Sequence, residues 1–258
     1  LLVAGGAAVV YAGYGATSLL AHASVLRIGQ INVHGNQHLS QSEVHALLSG
    51  LIGENLVEAN LHQWRQRLMA SPWVRDAALR RMFPSTVDVV VWERQPLGVA
   101  RVDGDMYLMD ERGVLIDKYG PQYADLDLPI IDGLVPEKGS DGALADPERA
   151  ELASRVISSL AVRPDIAKRL SQVDVGDLRN ATVILAGDTA VVELGDDQFL
   201  QRLQSYLELA TGLRTRVAAI DRVDARFENR LYVRPAAVEE SQARRSAAGP
   251  STAGSGRR

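Results

Sequence analysis

The sequence contains no cysteine. That excludes disulfides and thiolate metal sites. Charge is missing from the start: the run from Leu1 to Val25 holds no Asp, Glu, Lys or Arg, and Arg27 is the first such residue. A basic excess is also missing. The formal net charge is -4, and the stretch from Ile28 to Pro235 holds 23 basic against 30 acidic residues. A nucleic-acid footprint would be a basic patch, so that class is disfavoured. No Gly-x-Ser-x-Gly, phosphate loop, Gly-x-Gly-x-x-Gly or internal repeat occurs, which removes the commonest sequence signs of acyl transfer and nucleotide binding.

The uncharged run is long enough to cross a bilayer, which takes about 20 mostly apolar residues. Gly5, Gly6, Gly13 and Gly15 dilute it, but membrane helices tolerate glycine. A retained transmembrane helix is therefore expected over residues 1–23. The rival is a cleaved signal peptide, with Ala21-His22-Ala23 imitating a cleavage site. The first residue is not Met, so an upstream segment is expected.

Ile28 to Val33 reads as a strand broken by Gly35-Asn36. Ser40-Gln41-Ser42-Glu43 is a capping-box pattern. Val44, Leu47, Leu48 and Leu51 follow on one helical face. Asn60 caps a second helix with Leu61, Trp64 and Leu68 on one side, and Pro72 stops it. Val74 to Met82 and Thr86 to Trp92 read as strands around a Phe83-Pro84-Ser85 turn, with Val87, Val89 and Val91 sharing a face. A strand, two helices and two strands in about 70 residues make a small α+β layer with the helices on one side.

Beyond Pro96 the pattern is shorter. Leu97 to Val102, Met106 to Met109 and Val114 to Ile116 read as a meander, with Asp103-Gly104 as a hairpin signal. Asp146 and Pro147 open a helix lined by Leu152, Val156 and Leu160, with Pro164 just past its end. Strands are expected near Leu170 to Val175, Ala181 to Leu185 and Ala190 to Leu194. Asp196-Asp197 begins another helix, with Phe199, Leu203, Leu207 and Ala210 as its stripe and Gly212 as its end. Val217 to Phe227 and Arg230 to Val233 read as two strands around Glu228-Asn229. The small, polar tail from Ala236 to Arg258 cannot bury enough to fold.

Candidate chemistry is thin. His22, His34, His38, His45 and His62 form no trio of metal-ligand spacing and read as surface residues. Asp103, Asp105 and Asp110 lack the spacing and terminal Glu of a calcium loop. Asp174, Asp177, Glu193, Asp196 and Asp197 could supply an acid–base pair, but strand ends and helix N-termini are ordinary places for acids. Asn180-Ala181-Thr182 fits a glycosylation sequon, and Arg80-Arg81 reads as an exposed strand edge. No catalytic, cofactor or metal residue is assigned. The residues favour docking instead: a last strand leaves one row of backbone groups open to a partner strand.

Pro72-Trp73-Val74, Phe83-Pro84-Ser85-Thr86 and Glu93-Arg94-Gln95-Pro96 resemble the POTRA module of the FtsQ/DivIB family of bacterial division proteins. Leu128-Pro129-Ile130-Ile131-Asp132-Gly133, Val192-Glu193-Leu194-Gly195 and Val223-Asp224-Ala225-Arg226-Phe227 resemble motifs of that family's second domain. The resemblance covers roughly Leu1 to Pro235. It implies an α+β chain: a transmembrane helix (1–23), a βααββ POTRA domain (26–95), a larger mixed β-sheet domain with helices (96–235) and a disordered tail (236–258). It implies a single-pass inner-membrane protein at the division septum, with most of the chain outside the cytoplasm. The implied role is a non-enzymatic scaffold, without cofactor, that gathers FtsB-like and FtsL-like partners by strand addition and helps control septal peptidoglycan synthesis. The implied partner-binding residues are Phe227, Arg230, Leu231, Tyr232, Val233 and Asp196. Pro235 and Asp196 depart from the aromatic and arginine of some relatives. The alternatives are a POTRA-bearing component of protein export or outer-membrane assembly, and a cell-wall hydrolase.

Overall fold

The computed structural model describes residues 24–135, 145–216, 220–227 and 230–236. The expected membrane helix, the Glu228-Asn229 turn and the tail beyond Ala236 lie outside the described residues. Among those described, no helix is long and apolar enough to cross a membrane. The chain forms two compact units. One runs from the first described residue to Ile130 and includes Leu134–Glu151; the other comprises Ile131–Gly133 and the chain from Leu152 onward.

The first unit opens with β1 (Gln30–His34), α1 (Gln41–Leu47), α2 (Leu61–Met69), β2 (Val74–Met82) and β3 (Thr86–Glu93). The sheet order is β1-β3-β2, with β1 parallel and β2 antiparallel to β3. Alternation along β3 buries Val87, Val89 and Val91 completely or nearly so. Leu48, Leu51, Trp64 and Leu68 join them in one apolar cluster. Both helices start as their sequences dictate. Ser40 and Glu43 cap each other reciprocally, and the Asn60 side chain accepts from the Gln63 amide. α1 stops at Leu47, earlier than its apolar spacing predicts, so Leu48 and Leu51 reach the core from the turn that follows.

Gly35 follows β1 with φ 84°, and a Cβ there would meet the Val91 carbonyl oxygen at 2.2 Å. Only glycine combines that backbone with that approach.

The motif residues of this unit prove to be joints. The Glu93 carboxylate accepts from the amides of Gln37, His38 and Leu39 at 2.9–3.1 Å and also binds the His38 ring. Burial alone would raise its pKa, but those donors more than offset burial and hold it below the ordinary value. His38 stacks on Trp73 with centroids 4.5 Å apart. Arg94 donates to the Pro72 carbonyl and pairs with Asp110 at 2.7 Å. Asp110 in turn closes its own turn by accepting from the Arg112 and Val114 amides. That carboxylate, weighed above as a calcium ligand, is thereby committed to a buried ion pair.

The meander follows as β4 (Gly98–Val102), β5 (Asp105–Met109) and β6 (Leu115–Lys118). Asp103 and Gly104 both have positive φ, as a two-residue hairpin turn requires. Val99, Leu108 and Ile116 share the apolar cluster of β1–β3.

After β7 (Ile130–Asp132) comes α3 (Pro147–Ala161), whose first amides at Glu148 and Arg149 donate to Asp146. Pro164 does more than follow α3. It opens a further short helix, α4 (Pro164–Ala167), because proline suits a first helical position. The second unit continues with β8 (Leu170–Asp174), β9 (Ala181–Leu185), β10 (Val191–Gly195), α5 (Phe199–Arg216), β11 (Ile220–Asp224) and β12 (Tyr232–Pro235). Its strand order is β12-β11-β10-β9-β8-β7. β10 and β11 are parallel and joined by α5, whereas β8–β9, β9–β10 and β11–β12 are antiparallel. α5 does not end at Gly212. The helix runs through it to Arg216, because an exposed glycine weakens a helix by about 1 kcal/mol without breaking it.

Candidate functional site

Of the two strands at the end of the second unit, the first is shorter than the sequence suggests and the second lies two residues further on. β11 ends at Asp224, three residues before Phe227, and β12 begins at Tyr232. Arg230 and Leu231 therefore precede the strand. Pro235 lies inside it, opposite Ile220 in the register. Proline is tolerated on an edge strand, where one row of amides has no ladder partner. The remaining pairs are Arg222 with Arg234, Val223 with Val233, and Asp224 with Tyr232. β12 is the last strand in its order, so among the described residues no strand covers its outer side.

A polar lattice holds β11 against β10 beneath this edge. Glu193, almost fully buried, accepts from Arg222 at 2.8 Å and from Asn180 at 3.2 Å. Arg226 grips Asp224 through two bonds of 2.9 and 2.6 Å and reaches Glu193 at 3.4 Å. The Arg226 guanidinium holds the Asp224 carboxyl below its ordinary pKa, and the pair raises Arg226 in return. The arginine fork fixes the backbone at residue 226 and so fixes where Phe227 leaves the sheet.

Phe227 and Tyr232 meet edge to face, with ring centroids 5.2 Å apart and planes at 73°. They are 52% and 55% exposed, respectively. Phe227, Arg230 and Leu231 also line a cleft of about 500 Å³ whose other wall is α5, through Gln201, Ser205 and Leu209. The half-exposed Leu209 gives this cleft an apolar patch. No feature of the sequence pairs α5 with the loop before β12. Leu209 lies off the helix's predicted stripe, so the cleft is a site that sequence reasoning missed.

The structure thus brings five of the six sequence-selected residues into one region. Phe227, Arg230 and Leu231 sit at the cleft, while Tyr232 and Val233 sit on the edge strand. Asp196 does not line the cleft. It is exposed beside the positive-φ Gly195, and its carbonyl accepts from Arg155. The other acids weighed for catalysis are tied locally. Asp174 and Asp177 accept from nearby backbone amides, and Asp197 pairs with Arg202 at 2.6 Å. Among the described residues no group of three His, Cys, Asp or Glu is placed to hold a metal. What the geometry can do is bind an extended peptide: ladder bonds on one side, aromatic contacts at its start, and a cleft for what flanks it.

Two family models match the chain. Residues 26–94 match the FtsQ-type POTRA domain, and residues 98–226 match the C-terminal domain of cell division protein FtsQ/DivIB. The chain is 33% identical over 214 residues to cell division protein FtsQ of Thioalkalivibrio sp. (strain K90mix), covering 81% of this chain and 80% of the relative. It is 27% identical over 221 residues to the FtsQ of Syntrophotalea carbinolica, covering 85% and 77%. It is 27% identical over 208 residues to that of Koribacter versatilis, where 80% of this chain spans only 59% of the relative's length. The chain is a POTRA-bearing protein with a second, mixed β-sheet domain, and it belongs to the FtsQ/DivIB family of cell division proteins.

Proposed function

We propose that this chain is a non-catalytic scaffold of the bacterial divisome. A single N-terminal helix over residues 1–23 anchors it in the inner membrane, and a POTRA domain (26–95) and a β-sheet domain (96–235) stand outside the cytoplasm at the septum. Its task is to gather membrane partners of the FtsB and FtsL kind and to help control septal peptidoglycan synthesis.

The observation that carries this reading is the uncovered outer side of β12, flanked by the half-exposed Phe227–Tyr232 pair and the α5 cleft. An exposed strand edge with apolar side chains beside it is a liability unless a partner covers it. Strand addition supplies backbone bonds for affinity, and alternate side chains supply specificity. On this reading a partner strand lies along Tyr232 to Pro235, and residues flanking it enter the cleft bordered by Leu209, Phe227 and Leu231. The family assignment supports a role in division.

The test is a membrane pull-down with an FtsB-like and FtsL-like pair. The full chain should retain both. A chain truncated after Phe227 should lose them while its POTRA domain stays folded by circular dichroism. Undiminished capture by the truncated chain would contradict the reading.

A further inference from the structure

The first unit exposes a second apolar surface, distant along the chain from β12. Phe83 is 69% exposed, and Val25, Ile52, Val57 and Met82 are each about half exposed or more. Sequence positions spread over nearly 60 residues would ordinarily scatter. Backbone bonds collect these. β1 begins at Gln30 opposite Thr86, where β3 begins and β2 ends, so the Met82–Phe83 turn caps that end of the sheet. Gly29 donates to the Ser85 carbonyl at 2.9 Å, which brings the incoming chain to the same turn. The Leu56 amide donates to Leu26, and the Gly53 amide donates to Ile28, each at 2.8 Å. Those bonds place Ile52 and Val57 beside the entering segment. Arg81 ties the turn down by donating to the Leu56 and Ala59 carbonyls, both at 2.7 Å.

All five apolar residues therefore surround the point where the chain enters the fold. Directly before that point lies the run without Asp, Glu, Lys or Arg that reaches Leu26. Arg27, the first charged residue, and Arg80 are both exposed near this end.

We propose that this entry-end surface rests on the lipid bilayer, with Phe83, Met82 and Val57 dipping into the headgroup region. The inference rests on the anchor reading of residues 1–23. The occupant follows from position. An anchor that ends at residue 23 brings Val25, two residues on, and the side chains beside it to the headgroups. Apolar side chains there gain by leaving water, and arginines alongside them reach lipid phosphates. The consequence is mechanical: two attachments, the helix and the turn, fix the tilt of the POTRA sheet that a single helix would leave free.

The absence of native cysteine makes the test clean. Single spin labels are placed through Phe83→Cys, Val57→Cys and, as comparator, Trp92→Cys in the full chain, reconstituted in bilayer discs without other protein. Trp92 is exposed near the far end of β3, roughly 20 Å away at about 3.3 Å per residue. Oxygen concentrates in hydrocarbon and a nickel chelate in water. The ratio of oxygen to nickel collisions at positions 83 and 57 should exceed that at 92 severalfold. Equal ratios at all three positions, with the chain retained in the discs after a salt wash, would overturn the inference alone. Shielding of position 83 from both reagents would also overturn it, since protein would then be the cover. A chain that washes off the discs would overturn the anchor reading and this inference together.

Discussion

Phe227 and Tyr232 touch edge to face although four residues separate them and neither is buried. Aromatic pairs of this geometry are worth about 0.5–1.5 kcal/mol beyond their burial. The pair ties the start of β12 to the end of the chain segment that leaves β11. Truncating either ring should cost partner affinity on the order of 2 kcal/mol, the range typical of aromatic anchors. Phe227→Ala and Tyr232→Ala should be less than additive, because each ring orients the other. Titration calorimetry on the two single variants and the double variant would check this.

Backbone pairing, more than side chains, should carry strand addition. Val233→Pro removes an amide and disturbs its pairing with Val223 in the middle of the four-residue strand. Partner capture should fall below detection while far-ultraviolet circular dichroism of the chain is essentially unchanged. Leu231→Pro acts one residue before the strand and should be milder, because it disturbs the cleft wall more than the ladder.

Glu93 predicts an acid-dependent joint. Its folded pKa lies below the ordinary value, so the stability it contributes is complete above the unfolded carboxylate pKa and is lost as pH falls through the folded one. Glu93→Gln cannot match a carboxylate that accepts from three backbone amides. It should destabilise the first unit by about 1–3 kcal/mol at neutral pH. The gap between parent and variant should begin to close once pH falls below the ordinary carboxylate value and should vanish only below the lower folded one. Urea melts at several pH values measure both.

Leu48 is fully buried beside the β3 valines. Leu48→Ala should cost about 2–5 kcal/mol. A denaturant melt showing no loss would mean that the turn after α1 can close over the gap.

Much of the first unit was legible in the sequence because its signals are local. The capping box at Ser40, the Asn60 cap and the period-two valines of β3 each specify their own element. The Asp103-Gly104 turn was legible for the same reason. What the sequence hid is long-range. Nothing near Glu93 in sequence shows that its carboxylate organises residues 37–39, since those donors are backbone groups. Nothing near Arg94 points to Asp110. At the site, the aromatic at 227 was visible through family resemblance, but its partner Tyr232 depends on where β12 begins. Gly212 misled because glycine often ends helices, whereas here a helix runs through it. Pro164 lies past α3 as expected, but nothing beside it announced that it would open α4. The α5 cleft needed the crossover between parallel strands, which brings Ser205 and Leu209 beside Leu231.

The central claim is that a partner strand extends β12, and amide hydrogen exchange on the full chain tests it most directly. Pro235 has no amide, so only Tyr232, Val233 and Arg234 can report along the strand. With the FtsB-like and FtsL-like pair bound, the amides on the outer side of β12 should slow by orders of magnitude while those already bonded to β11 change little. Unchanged exchange at Tyr232 to Arg234 in a chain that demonstrably holds the pair would contradict the account and move the interface off this edge.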